Sequence, residues 1–435
     1  MAMKQKSTQL QTVTDEELEE ELSRRKRERL SGKLFKVERQ LEEEAAKLAT
    51  KTLQDFFDEK TENQPRRSNC PKCGKSVGIR ASNRRREVTT TAGTATLSRH
   101  YYYCRSCEDG FYPLDQELGL TEGSELSPGM EARILDFGME EPYEAAARRW
   151  KRHHLGYISE WTVRQVVERA GDKLQQQSAT QRAKKMTSSK RSDEQDVLVI
   201  STDGSMIHTR DEDWKEAKLA VLYRTQDGYK IPRRKSCYVA TMSGIEGFTK
   251  ELEPFVKAAR KQPSKAVVWL GDGAPWNWNL ASELAPKAIQ VLDWVHAVEH
   301  GAKVANLIFG QDEAMAALYL NRIKDLLEQG AIDILRRELL DCQVHLAGQA
   351  LVEMSALRNY YLTNQKRMQY KRFRELGIPI GSGAVESAHR HVLQRRMKLA
   401  GQHWSLSSAQ KLVMLRAAYK SANDNDFLSL VGLAA

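Results

Sequence analysis

The chain has no run of about 18 apolar residues, the least that spans a bilayer, and its start, MAMKQKSTQLQ, lacks the apolar stretch of a secretory signal. A cytoplasmic protein with no membrane partner is therefore expected. Cysteine is scarce, six in 435 residues, which excludes the disulfide framework of a small secreted domain. Acidic charge is in deficit: 58 Asp plus Glu face 68 Lys plus Arg, a formal charge of +10. That balance favours a polyanionic partner. The length allows roughly two to four domains, each with its own core.

The excess of positive charge is distributed. Basic clusters fall at 66–67, 84–86, 182–185, 233–235, 366–374 and 395–398, whereas acids gather near 16–21 and 211–213. Any one cluster is explained as a solvated helix face; a series spread along the chain fits a nucleic-acid track better.

Residues 1–62 read as a helical N-terminal region. Thr14 and Glu17 are spaced as a capping box, and Leu34, Val37, Leu41 and Leu48 fall at helical intervals in one or two helices reaching about Phe57. The stripe is not a sustained heptad pattern, so packing on the body of the protein is favoured over pairing with another subunit.

Four of the six cysteines form two C-x-x-C pairs, Cys70 with Cys73 and Cys104 with Cys107, the first followed by Gly74. Each pair turns two thiolates toward one point, and four thiolates complete the closed tetrahedral shell of one structural Zn²⁺. Such a shell leaves no position for water, which excludes a zinc hydrolase here. Strands expected at 87–91 and 94–103, turning at Ala92 and Gly93, make residues 63–118 a zinc ribbon. Two chance pairs of buried thiols would be the plainer account. Arg84, Arg85 and Arg86 with the run 100–103 suit a nucleic-acid contact, and a purely structural clip suits them nearly as well. Cys237 and Cys342 lie in apolar runs and read as buried small hydrophobes.

Residues 119–174 read as a helix-turn-helix-like region. Pro142 opens a helix through 145–150, Gly156 breaks it, and Ser159 caps the next, 160–170. Arg164 and Gln165 on the second helix would reach base edges or phosphates, although most helical hairpins bind nothing. The polar, basic stretch 175–195 reads as a linker.

The second half alternates strands and helices. Strand 196–200 runs into Ser201-Thr202-Asp203-Gly204-Ser205, and strands at 218–223 and 236–242 follow. A helix at 245–261, a strand at 266–270 ending at Asp272, a helix, and a strand at 288–292 ending at Asp293 complete the series. This is the element order of a ribonuclease-H-like fold, an antiparallel meander continued by a parallel half. Between Asp293 and Glu375 there is no proline, and apolar residues recur at helical spacing, as for an all-helical insertion. The Gly-rich loop 377–383 then leads into a helix at 384–397 carrying Glu386. The expected architecture is a multidomain α/β protein. It has a ribonuclease-H-like catalytic core at 196–308 and 376–424, an insertion at 309–375, and a frayed tail at 425–435.

Asp203 after the first strand, Asp272 after the fourth and Glu386 on the last helix are the candidate catalytic acids. Three carboxylates in one place repel unless cations neutralise them. Two Mg²⁺ (or Mn²⁺) ions, about 3.5–4 Å apart, would serve in-line displacement at a phosphodiester. Singly, an Asp before Gly is a turn residue and a Glu in a first helical turn serves the helix dipole; their joint placement carries the reading. Asp293 also follows a strand of the sheet and competes with Asp272.

STDGS, GDGAPW with DWVHAVEH close behind, and IGSGAVES followed by RRMK and Trp404 resemble the DDE transposases of bacterial insertion sequences, in particular the Mutator-related ISKra family. The resemblance covers about 196–419. It implies that Asp203, Asp272 and Glu386 hold the metal ions. Asp293-x-x-His296 would match the family's D-x-x-H signature, with Asp293 supporting the metal-binding acids. His296 would orient a carboxylate or contact the scissile phosphate. It further implies binding of terminal inverted repeats and target DNA, strand cleavage and strand transfer, a nucleoid-associated location in a bacterial cytoplasm, and at least a dimer on DNA. Arg390, Arg395, Arg396 and Lys398 would follow the DNA backbone. Trp276, Trp278 and Trp404 would stack on an unpaired base, or simply pack in the core. A structure-selective nuclease on the same fold and a non-catalytic DNA-binding descendant of a transposase are the alternatives.

Overall fold

A computed structural model describes residues 19–20, 23, 33–154, 156–187, 193–226, 236–310 and 312–433. The Thr14–Glu17 capping box and the basic cluster at 233–235 lie outside the described residues. The protein is a mixed α/β, multidomain chain, with two sheets among the described residues. It divides into two compact units, residues 1–131 with 151–157, and 132–150 with 158–435.

The first unit pairs helix α1 (Leu34–Glu62) with an antiparallel sheet of order β1-β2-β3-β4: Arg67–Asn69, Ser76–Thr90, Gly93–Cys104 and Asp109–Phe111. Val88, Ala95 and Leu97 point inward from β2 and β3 onto Phe57 of α1 and Leu114. Gln54 fixes the register of helix on hairpin, its amide donating to the Thr96 carbonyl and accepting from the Thr96 N–H, both at 2.9 Å. Strand β2 begins well before the expected residue 87. The stretch SNRRR shows no alternation because two register shifts and Asn83, at φ 55°, break the ladder there. The expected packing of the α1 stripe does not occur: Leu34, Leu41 and Leu48 are exposed, and within α1 only Phe57 is buried. Only the C-terminal half of the helix meets the hairpin.

The second unit is built on a five-stranded sheet of order β7-β6-β5-β8-β9. Strands β5 (Val197–Thr209), β6 (Asp213–Thr225) and β7 (Cys237–Thr241) are antiparallel, while β8 (Ala266–Gly271) and β9 (Ile289–Leu292) run parallel to β5. Residues 197–202 and 217–225 are buried without alternation, as in strands covered on both faces. Trp269, Phe248 and Phe255 are among the largest fully buried side chains of this unit.

Two expectations fail in this unit. The stretch read as a linker carries helix Ala179–Thr187, with Ala183 and Met186 buried and Arg182 paired to Glu251. Its polar composition hid the helix because Arg182 buries its stem as well as its charge. The tail read as frayed carries helix Asp424–Leu430, capped by the Asn423 side chain and anchored by Phe427 and Leu430. Cys237 is buried as expected, but Cys342 is only partly so. Residues 313–375 form helices Glu313–Gln329, Ile332–Gln343, Gly348–Asn364 and Tyr370–Glu375, with a 3₁₀ turn and no strand among the described residues.

Candidate active site and metal centre

The sheet registers bring the strand-borne acids to one level. Strand β5 does not end before Asp203 but continues, paired with β6, to Thr209. Its pairing with β8 stops at Ser201 opposite Leu270, so at Asp203 that edge of β5 is open. Continuing that register by two residues sets Asp203 level with Asp272. Continuing the β8–β9 register from Gly271 opposite Leu292 by one residue sets Asp272 level with Asp293. The Asp293 N–H donates to the Gly271 carbonyl at 2.8 Å, which fixes that level.

The three aspartates have different surroundings. Asp293 is fully buried. One of its oxygens caps helix Trp294–Phe309 by accepting from the His296 N–H at 2.9 Å, and the other accepts from the Ser382 N–H in the Gly-rich loop. The Ser382 hydroxyl then donates to Glu386 at 2.7 Å. Asp293 thus ties the β9 end to the loop that presents Glu386. Asp272 Oδ1 accepts from the Ala274 N–H at 3.0 Å and from Asn277, a buried amide that also reaches the Thr202 carbonyl and receives the Trp269 N–H. From the insertion, Tyr360 stacks on His300 at 3.8 Å and brings its hydroxyl to 3.5 Å from the Asp272 carbonyl. Burial, then the charges of Asp272 and Asp293, hold that hydroxyl well above the ordinary tyrosine range.

Asp203 lies within 3.1 Å of His389 Nε2. Burial opposes its charge, but the His389 contact, the Gly204 N–H and the His296 charge outweigh burial and hold the carboxyl below its usual range. Lys398, whose ammonium donates to Ser205 at 2.6 Å, adds positive charge on the same side. The final helix is not continuous: α-helical Gly383–Ala388 gives way to a π turn, His389–Gln394, before Arg395–Met397. Fully buried Arg416 donates to the His391 and Val392 carbonyls in that turn and to the Met139 carbonyl. It supplies the donors that a widened turn leaves wanting.

His389, Arg416, Ser382 and Tyr360 were missed in the sequence. His389 alone left a signal, the Glu386-x-x-His389 spacing that puts two side chains on one helix face. The candidate acids are level, but they do not crowd. Among the described residues, the group of three or more His, Cys, Asp or Glu close enough for a single ion is the cysteine cluster.

That cluster is closed. Cys70 and Cys73 sit in the turn between β1 and β2, Cys104 ends β3 and Cys107 lies in the turn from β3 to β4, and their sulfurs lie within 4.8 Å of one another. Cys70 to Cys107 is 3.9 Å and Cys73 to Cys104 is 3.7 Å, against an edge of about 3.8 Å for a tetrahedron with Zn–S bonds of about 2.3 Å. Gly74, at φ 73°, and Glu108, at φ 50°, make the left-handed steps out of the two knuckles. The backbone N–H of Cys73 draws the Cys70 thiol down to about 7, whereas the hydrogen bond with Cys73, then desolvation, pushes Cys107 up to about 12. Four thiolates do not share this space without a cation, and the donor set fits a structural ion such as Zn²⁺.

The model of the uncharacterised protein family UPF0236 matches residues 79–427. The chain belongs to this family. It is 20% identical over 339 residues to the UPF0236 protein in vanSb 3'region of Streptococcus gallolyticus, a match covering 77% of this chain and 73% of the relative. The stretch matched to UPF0236 includes the five-stranded sheet, Asp203, Asp272, Asp293 and Glu386, and it starts beyond the first cysteine pair.

The basic candidates separate by exposure. Arg164, Arg390, Arg395 and Lys398 are exposed and Gln165 is half-buried. Arg86 is not free for a partner, because it and Arg99 both pair with buried Asp115. Arg396 is not a surface residue either: 1% exposed, it donates to the Gly138 carbonyl at 3.1 Å and lies over the rings of Tyr143 and Trp404. Trp404 is itself buried, its N–H on the Met397 carbonyl at 3.1 Å, and forms with Arg164, Arg210 and His403 the wall of a pocket of about 290 Å³. Trp278 is buried under Arg367, and Trp276 is covered by Lys218 at 3.9 Å. Helix Glu160–Gln176, capped by Ser159 as expected, turns Val163, Val166, Val167 and Ala170 inward and packs on Leu406–Ser421, leaving Arg164 outside. Among the described residues no helix is long and apolar enough to cross a membrane.

Proposed function

We propose that this chain is a DDE transposase that binds the terminal inverted repeats of its own element and catalyses DNA strand cleavage and strand transfer. The observation that carries the reading is the common level of Asp203, Asp272 and Asp293 across three neighbouring strands, with Glu386 hydrogen-bonded into the same network through Ser382. The order β7-β6-β5-β8-β9, three antiparallel strands and two parallel, supports a ribonuclease-H-like core, and carboxylates at the ends of parallel strands are where such sheets bind ligands.

Asp203, Asp272 and Glu386 are the residues that would hold the ions. Their donors are carboxylate oxygens, which fit a hard divalent cation such as Mg²⁺ or Mn²⁺, and the Asp203 carboxyl, held ionised, is ready to take one. When bound, two such ions activate the attacking oxygen and stabilise the leaving one at a phosphodiester. Asp293 positions Glu386 from behind the loop and fixes the start of the His296 helix. His296, half-exposed beside this network, faces the scissile phosphate. Exposed Arg390, Arg395 and Lys398 grip the DNA backbone, with Arg164 and Gln165 as a second contact. Two ends brought together need at least a dimer, in a bacterial cytoplasm and on the nucleoid.

The test is divalent-ion-dependent nicking and strand transfer on plasmid DNA carrying the element's ends. Asp203→Asn, Asp272→Asn and Glu386→Gln are expected to abolish both while retaining DNA binding. Binding without cutting in the wild type under any ion would leave a non-catalytic DNA-binding protein. Cutting without strand transfer, selective for DNA structure over the ends, would leave a nuclease. Equal cutting by all variants would discard the acid assignment.

A further inference from the structure

The environment of His389 does not suit a core histidine. The residue is 5% exposed, yet neither ring nitrogen has a hydrogen-bond partner. A buried imidazole left without one has given up its water for nothing in return, which is unfavourable. Nε2 nevertheless approaches Asp203 Oδ2 to 3.1 Å, close in distance but off the axis of a hydrogen bond. Two atoms that share an octahedral ion with bonds of about 2.1 Å stand roughly 3.0 Å apart along the coordination edge. The contact has the length of such an edge.

The helix supports the same arrangement. Glu386 and His389 are three residues apart, so both project from one face, the spacing by which Glu-x-x-His helices hold ions in carboxylate-rich sites. Helix Gly383–Ala388 packs on β5 and β6, the strand that carries Asp203 and its neighbour. His389 opens the π turn, and the buried guanidinium of Arg416 occupies the carbonyls of His391 and Val392 just beyond it. A π turn maintained at such cost beside a carboxylate is a feature associated with function.

We propose that His389 is a direct ligand, through Nε2, of the divalent ion held by Asp203. The site then has mixed nitrogen and oxygen donors and prefers a first-row transition ion such as Mn²⁺ over Mg²⁺, because imidazole adds affinity for the former and little for the latter. The inference rests on the metal-binding role proposed above for Asp203 and Glu386.

The experiment is Mn²⁺ binding to the full-length, zinc-loaded protein without DNA, followed by electron paramagnetic resonance with pulsed detection of nitrogen coupling. Wild type is compared with His389→Gln, His296→Gln and Asp203→Asn. The expected result is a directly bound nitrogen in the wild type and in His296→Gln, absent in His389→Gln. Mn²⁺ affinity should fall about tenfold or more in His389→Gln while Mg²⁺ affinity, read by competition, changes less than about threefold. A nitrogen signal that survives in His389→Gln overturns the proposal. So does a wild-type spectrum without nitrogen, whether or not the variants fold. If Asp203→Asn weakens Mn²⁺ binding and His389→Gln does not, the carboxylate site stands without its histidine. If neither changes binding, the metal-binding reading falls as well.

Discussion

The two candidate metal sites are built in opposite ways. The cysteine cluster is local: two knuckles of adjacent hairpins supply all four sulfurs, and the turns that aim them lie within a few residues of the ligands. The acidic site is assembled from β5, the β8 and β9 ends and a helix that follows the insertion. Its acids are held through others: Asn277 bridges the Asp272 and Thr202 strands, Asp293 and Ser382 hold Glu386, and Arg416 holds the turn beyond His389. A local site fails by losing a ligand, whereas an assembled one also fails from a distance.

The comparison breaks most sharply at the ligands. Cys73→Ser, or chelation of the wild type, should remove the structural ion, lowering bound zinc by about tenfold or more by elemental analysis, and unfold the ribbon hairpin. The thermal transition of the five-stranded core should persist. If zinc content is unchanged, the four sulfurs are not the ligands.

At the acidic site, Asp272→Asn should cost at least about 10³-fold in nicking rate, with the melting temperature within a few degrees of wild type. A variant that unfolds instead would make Asp272 a structural turn residue.

Positions that touch no candidate ion separate the two sites further. Arg416→Met leaves two buried carbonyls and a part-buried one without its donors, and a loss of about 3 kcal/mol in urea unfolding is expected, with zinc content intact. Asp293→Asn should cost about 2 kcal/mol, since it weakens a helix cap and the Ser382 contact together, and it should slow nicking only in part. Arg390→Ala should weaken DNA binding by a few-fold and reduce the salt slope by about 1, uniformly across sequences.

The smallest effect concerns pH. Burial opposes the charge of Glu140, but the Lys420 hydrogen bond and the Arg416 charge prevail, and its pKa is held below the usual value. A carboxyl lowered on folding contributes stability that is full above its unfolded pKa, near 4.3, and is lost as pH falls through the folded one. Glu140→Gln should therefore lower stability at neutral pH and flatten the acid limb of the profile, with variant and wild type converging below about pH 4.

Legibility followed the same division. The two C-x-x-C pairs were readable because a tetrahedral thiolate site is specified by spacing along the chain. The strands leading to Asp272 and Asp293 were readable because each is a short apolar run that stops at an acid. Strand β2 and helix Ala179–Thr187 were not, since a bulged ladder has no alternation and a buried arginine counts as polar in any pattern. Arg396 was read as a backbone contact because it was taken with its basic neighbours; the fold turns Arg395 outward and Arg396 inward, and of the two readings open for Trp404 it takes the core.

Spacing along the chain was enough for the cysteine cluster, for the five strands of the second unit in their order, and for the aspartates that follow β8 and β9. These depend on local spacing and on the periodicity of burial. The tertiary structure alone decided that Asp203, Asp272 and Asp293 stand level, that Asp293 faces inward to hold Ser382, and that His389 meets Asp203. Those relations depend on register between strands and on where a helix widens by a fraction of a turn, and neither is encoded in the residues on one side of the contact.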